Sequence, residues 1–222
     1  MSQPSGEDSG RSPSKGPRRG FFDLWSGFYD LGFVQRMTYR PVHDAVCRAL
    51  REEAPAALLD IGCGTGLLTE RLCRELPDSR IVGCDFSLGM LGQARRREVP
   101  VRWVRGNAME LPFADGSFAA ATSTDSFHWF PDQGEAAAEL FRVLEPRGRL
   151  LLAVATPPLE VLSEVTRLGS RVLGEPLVWP TRSRLDAMLR RVGFEVVGTQ
   201  RVLRLPAPVS FPTYLTIARR PR

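Results

Sequence analysis

Lysine is all but missing from this chain. Lys15 is the only one among 30 basic residues, which face 25 acidic ones and leave a net charge of +5 over 222 residues. GC-rich coding produces such an arginine bias, so the positive balance argues only weakly for a nucleic-acid partner. The run Arg95-Arg96-Arg97 falls near the end of an expected helix, where cations favour the macrodipole and form a solvated face. No apolar run approaches the roughly eighteen residues of a membrane span, and the N-terminus has no apolar secretory core. The chain therefore reads as soluble and cytoplasmic. Cys47, Cys63, Cys73 and Cys84 lack any C-x-x-C or Cys/His spacing, so they read as reduced apolar fillers, with no disulfide and no metal.

A missing glycine also narrows the central motif. Leu58-Leu59-Asp60-Ile61-Gly62-Cys63-Gly64-Thr65-Gly66 reads as a buried strand that turns sharply and opens a helix. Without Cβ atoms, Gly62, Gly64 and Gly66 can take positive φ and let a ligand come within contact distance. A dinucleotide fingerprint, G-x-G-x-x-G, requires a third glycine where this sequence has Leu67. The spacing present is G-x-G-x-G, preceded by Asp60.

In this motif the sequence resembles the class I S-adenosylmethionine-dependent methyltransferases, in particular the ubiquinone and menaquinone-biosynthesis type. The likeness continues through Ile81-Val82-Gly83-Cys84-Asp85-Phe86-Ser87, Arg105-Gly106-Asn107-Ala108-Met109-Glu110-Leu111-Pro112-Phe113, and Arg142 to Leu151, in that order. Asp85 lies roughly twenty residues past the glycines, the distance a βαβ unit requires. The resemblance implies an α/β fold: a Rossmann-like seven-stranded sheet, mostly parallel with an antiparallel edge strand, and helices on both faces. It also implies S-adenosylmethionine as cofactor.

Residues 1–20 hold five Ser, four Gly and three Pro with almost nothing apolar, and read as a disordered tail. Residues 21–56 read as an N-terminal helical cap, and 57–222 as the methyltransferase domain. Phe21 to Tyr39 is dense in aromatics; packing explains most of them, and the family often uses this segment as a lid. Trp25 and Tyr29 are spaced i, i+4 and would share one helix face looking into a substrate pocket. His43, alone on the next helix, reads as a surface or packing residue. Between Asn107 and Gly116 there is room for a short turn and no helix. Four parallel-type strands follow the motif strand, Ile81 to Asp85, Val99 to Val104, Phe118 to Ser123 and Arg149 to Ala155, and Phe194 to Thr199 with Pro212 to Ala218 form a closing antiparallel pair.

The resemblance assigns Asp85 to both ribose hydroxyls, with Phe86 and Met90 beside the adenine. Gly62, Gly64 and Gly66 would border the methionyl part, whose carboxylate the following helix N-terminus favours. Asp60 either helps hold the ammonium or caps the loop. Asn107 stands where relatives carry aspartate for the adenine amino group; its carbonyl still accepts but without charge, and the backbone at Ala108 assists. Thr122 to Phe130 leaves the fourth strand where the methyl group should point, with Thr124 against the cofactor. His128 is the preferred base because imidazole titrates near neutrality, and Asp125 is either a rival base or its orienting partner. Phe127 and Trp129 would wall a flat or greasy substrate.

The expected activity is methyl transfer to a small apolar or aromatic acceptor, oxygen first, then carbon or nitrogen. The alternatives are a nucleic-acid methyltransferase and a cofactor-binding protein without transfer. The Asp/Asn-Pro-Pro-aromatic motif of amino-group methylases is absent from its place, Ser123-Thr124-Asp125-Ser126.

Overall fold

Strand β1 (Ala57–Ile61) lies in the middle of the sheet, and its alternating side chains divide the interior in two. The computed structural model describes residues 39–173, 177–203 and 212–222. Leu58 joins one core cluster with α1 (Arg40–Arg51) and α2 (Leu67–Glu75), while Leu59 and Ile61 join another on the opposite face. Successive strand residues point to opposite faces, so a strand covered on both sides is apolar along nearly all its length. Four of the five β1 residues are buried, Asp60 among them.

The remaining elements are β2 (Arg80–Asp85), α3 (Leu88–Ala94), β3 (Arg102–Arg105), β4 (Phe118–Thr124), α4 (Gln133–Val143), β5 (Leu144–Ala155), α5 (Glu160–Leu173), α6 (Arg182–Val192), β6 (Glu195–Leu203) and β7 (Thr213–Arg219). The seven strands stand in the order β3-β2-β1-β4-β5-β7-β6. Strands β1 to β5 pair in parallel, and β7 runs antiparallel to both β5 and β6. The strand order reverses at β1, between β2 and β4, and a crevice opens beyond the strand carboxyl ends at such a reversal.

Helix boundaries follow local chemistry. Pro41 sits in the first turn of α1, where its missing N–H costs nothing. Ser87 caps α3 by accepting from Met90 N at 3.2 Å, and Asp132 caps α4 from Glu135 N at 2.9 Å. Gly193, at φ 115°, ends α6.

Three expectations about elements change. Helix α3 stops at Ala94 and the arginine run forms a 3-10 turn ended by Glu98 at φ 49°. Arg97 in it is no solvated cation: its guanidinium bonds the Thr65 carbonyl and meets Glu70 at 2.6 Å, tying this turn to the glycine loop. Strand β3 begins at Arg102 rather than Val99, because the residues before it close a tight turn about Pro100, with Val101 N donating to Val99 O at 2.7 Å. Strand β5 starts at Leu144 and carries a bulge, where pairing jumps from Phe118 with Leu144 to Ala120 with Arg149. The stretch from Asn107 to Gly116 holds turns and no helix. Residues 1–20 and the aromatic segment up to residue 38 lie outside the described residues, so the tail, the cap's first part, Trp25 and Tyr29 do too.

Candidate active site

A cavity of about 210 Å³ opens at the strand reversal, bordered by the segments that follow β1, β2 and β4 and by the loop after β3. Its wall includes Gly62 and Gly64 after β1, Asp85 and Phe86 after β2, Asn107 and Ala108 after β3, and Thr124, Asp125 and Trp129 after β4, with Met90 from α3. Ten sequence-assigned residues thus meet at one place.

The three motif glycines do different work. All three have positive φ, at 66°, 54° and 79°. A Cβ on Gly62 would come within 2.4 Å of Ser126 Oγ, and one on Gly66 within 2.6 Å of the Trp103 ring; one on Gly64 would meet nothing within 4 Å. Gly64 is therefore the position where a ligand can approach the backbone. Gly62 makes room for the β4 loop while bordering the cavity, and Gly66, absent from the cavity wall, makes room for Trp103.

Asp85 is poised at the end of β2. Its Oδ2 accepts from Gly64 N and its Oδ1 from Ser87 N, both at 2.8 Å, so each oxygen keeps a lone pair for a further donor. Burial raises its pKa, while the N–H groups of Ser87, Gly64 and Phe86 oppose that rise. Asp60 stands behind the loop and off the cavity wall. It is 1 % exposed, accepts from Thr69 Oγ1 at 2.5 Å, and is pushed up to about 7 by burial, with Thr69 opposing and Asp85 adding. The Thr69 bond ties the end of β1 to the first turn of α2. Asn107 Oδ1 accepts from Met109 N at 3.2 Å, an Asx-type turn that fixes the amide at the cavity edge.

The two candidate bases separate. Asp125 has φ 50°, in the left-handed region that only glycine enters freely, and its N–H donates to Ala153 O at 2.9 Å. That backbone puts Asp125 on the cavity wall, and burial lifts its carboxyl to about 7. His128 does not line the cavity. Its ring is buried, stacks on Trp179 with centroids 5.4 Å apart, and is held down to about 3 by burial; its Nδ1 has no hydrogen-bond partner. Asp125 therefore does not orient His128, and the 3-10 turn Phe127–Trp129 accounts for the difference. The turn sends Trp129 to the wall and Phe127, fully buried, into the core beneath it.

Ser126 binds the two loops together. Its Oγ lies 2.6 Å from Ser123 Oγ and donates to Ile61 O at 3.2 Å, against the space left by Gly62. Sequence reasoning gives Ser126 no role and reads His43 as a surface or packing residue, yet both line the cavity. His43 stands four residues after Tyr39, whose ring centroid lies 6.3 Å from its own, and that i, i+4 spacing was the available signal.

Residues 59–152 match the methyltransferase-domain family. The demethylmenaquinone methyltransferase of Deinococcus radiodurans is 33% identical over 194 residues, covering 75% of this chain and 80% of that one. The chain belongs to the class I S-adenosylmethionine-dependent methyltransferases. The corresponding Thermus thermophilus enzyme is 38% identical over 141 residues, 62% of this chain and 62% of its own length. The N-methyltransferase NodS of Bradyrhizobium japonicum, solved with S-adenosyl-L-homocysteine, superposes with a TM-score of 0.71 at 17% identity, covering 92% of this chain and 98% of that one.

The cavity of this methyltransferase fits its family's cofactor. Gly64 leaves open space beside exposed backbone, and the lone pairs left on Asp85 suit adjacent hydroxyls. Phe86 and Met90 supply apolar contact for a base, and two carboxyls on the wall suit a cation.

Proposed function

We propose that this methyltransferase moves a methyl group from S-adenosylmethionine to a small apolar or aromatic molecule, onto oxygen first, then carbon or nitrogen. The observation that carries the reading is the pairing of Asp85 and Asp125 across one cavity, at the ends of the two strands flanking β1. Asp85 marks a nucleoside half, with Gly64, Phe86, Met90, Asn107, Ala108 and Thr124 around it. Asp125 marks an acceptor half, with Trp129 and Phe130. The relatives named for demethylmenaquinone, a quinone, agree with an apolar ring acceptor.

When bound, S-adenosylmethionine supplies an electrophilic methyl group on a sulfonium. Asp85 would accept from the ribose hydroxyls, charge-assisted bonds of about 1.5–3 kcal/mol each. The α2 N-terminus would favour the carboxylate end. Asp125 takes the acceptor's proton as the acceptor attacks in line, and a carboxyl with a pKa near 7 is suited to that task at neutral pH. Trp129 and Phe130 exclude water and orient a flat ring. Alignment of this kind can supply up to about 7–11 kcal/mol of barrier reduction.

Methyl-labelled cofactor incubated with a metabolite extract, and separately with RNA, tests the reading. Label in small apolar metabolites is expected. Label in RNA alone, or tight cofactor binding with no transfer to either, would refute it.

A further inference from the structure

Glycine loses more conformational freedom on ordering than any other residue, so a loop with glycine at positions 62, 64 and 66 keeps one shape only where its surroundings fix it. Backbone bonds fix part of this one: Gly66 N donates to Cys63 O at 2.9 Å, and Gly62 N and Cys63 N share Cys84 O at 2.8 and 3.1 Å. Among the described residues, two side chains from outside the loop also bond its backbone, Asp85 at Gly64 N and Arg97 at the Thr65 carbonyl. Asp85 lines the cavity and Arg97 does not.

Arg97 closes a 3-10 turn, and Glu98 after it sits at φ 49°, a left-handed backbone that persists only where the surrounding structure over-determines it. Arg95 and Arg96 are exposed, whereas the largely buried guanidinium of Arg97 spans the glycine loop and the first turn of α2. Its Nε donates to Thr65 O and its Nη1 to Glu70 Oε2 at 2.6 Å, and the planar fork sets both bonds in one orientation. The peptide between Thr65 and Gly66 is thereby held at both ends, its N–H by Cys63 and its C=O by Arg97. Thr65 lines the cavity next to Gly64, so the clamp acts one residue from the open backbone.

We propose that Arg97 is a positioning residue for the cofactor, holding the glycine loop, before anything binds, in the shape that S-adenosylmethionine needs. The inference rests on the cofactor half of the reading above and is independent of the acceptor. A loop already ordered binds without losing that entropy again, so the effect belongs to cofactor binding and not to methyl transfer.

Calorimetric titration of S-adenosylhomocysteine into the full chain should find Arg97→Met weakened about tenfold or more. Arg74→Met takes another arginine from the same Glu70 carboxylate without touching the loop, and should bind within about twofold of the unaltered protein. With labelled cofactor and 2-naphthol, a flat hydroxylated ring, KM for S-adenosylmethionine in Arg97→Met should rise by the same factor while kcat stays within about threefold. A measurement on the unaltered protein needs no variant to fold: without cofactor, the Gly64 and Gly66 amides should already exchange hydrogen at least about tenfold more slowly than in an open chain. Unchanged affinity in Arg97→Met, an equal loss in Arg74→Met, a fall in kcat matching the rise in KM, or freely exchanging loop amides would overturn the proposal. No binding of S-adenosylhomocysteine to the unaltered protein would overturn the cofactor reading of the cavity, and this proposal with it.

Discussion

Replacing Asp125 by asparagine separates its charge from its backbone role. The residue sits at φ 50°, and asparagine tolerates the left-handed region about as well as aspartate, so the loop keeps its shape while the base is lost. With the carboxyl titrating near 7, the ionised fraction falls about tenfold per pH unit below that value. A raised carboxyl pKa means the working, ionised form gains population as pH rises, so kcat/KM should climb through pH 7 and level off above it. At pH 5 it should be about one-hundredth of its plateau. In Asp125→Asn the climb should vanish and the plateau drop by about 10²–10⁴-fold, the usual contribution of a positioned base. The assay is label transfer to 2-naphthol at saturating cofactor from pH 5 to 9. A variant that keeps the limb near pH 7, or loses less than about threefold at the plateau, would refute the assignment.

Two further substitutions divide packing from binding. Gly66→Ala drives a methyl group into Trp103, so thermal unfolding should show a loss of about 2 kcal/mol or more with S-adenosylhomocysteine affinity of the folded protein little changed; Gly64→Ala meets only open cavity and should weaken that affinity with a smaller loss of stability, about 1 kcal/mol. His128→Ala removes a buried ring stacked on Trp179, so it should lower the melting temperature, by about 2–4 kcal/mol of stability, while the pH limb near 7 stays in place.

Much of the cavity wall around Gly64 and Asp85 was legible in the sequence, from the glycine spacing and from the resemblance that puts Phe86, Met90, Asn107 and Ala108 beside them. A parallel strand must be apolar, a sharp turn after it needs glycine, and a carboxylate at the close of the next strand falls beside that turn in any βαβ unit. The parallel pairing of β1 to β5 was expected from the family resemblance, and their spatial order was not. The acceptor half was read less well. Asp125 and His128 are three residues apart, and only the left-handed backbone at Asp125 and the 3-10 turn after it decide which faces the cavity. Periodicity does not encode either feature. His43 reaches the wall through the packing of α1 against the rest of the molecule, a long-range contact that one helix cannot reveal. The arginine run misled for a related reason: its last member is anchored to Thr65 and Glu70, residues distant in sequence.

Calorimetric titration of S-adenosylhomocysteine into the unaltered protein and into Asp85→Asn tests whether the crevice beside β1 grips a nucleoside through the acid that ends β2. One site per chain is predicted, weakened about tenfold or more when the carboxylate becomes an amide that can accept at only one atom. Equal affinity in the two proteins, with both folded, would contradict it.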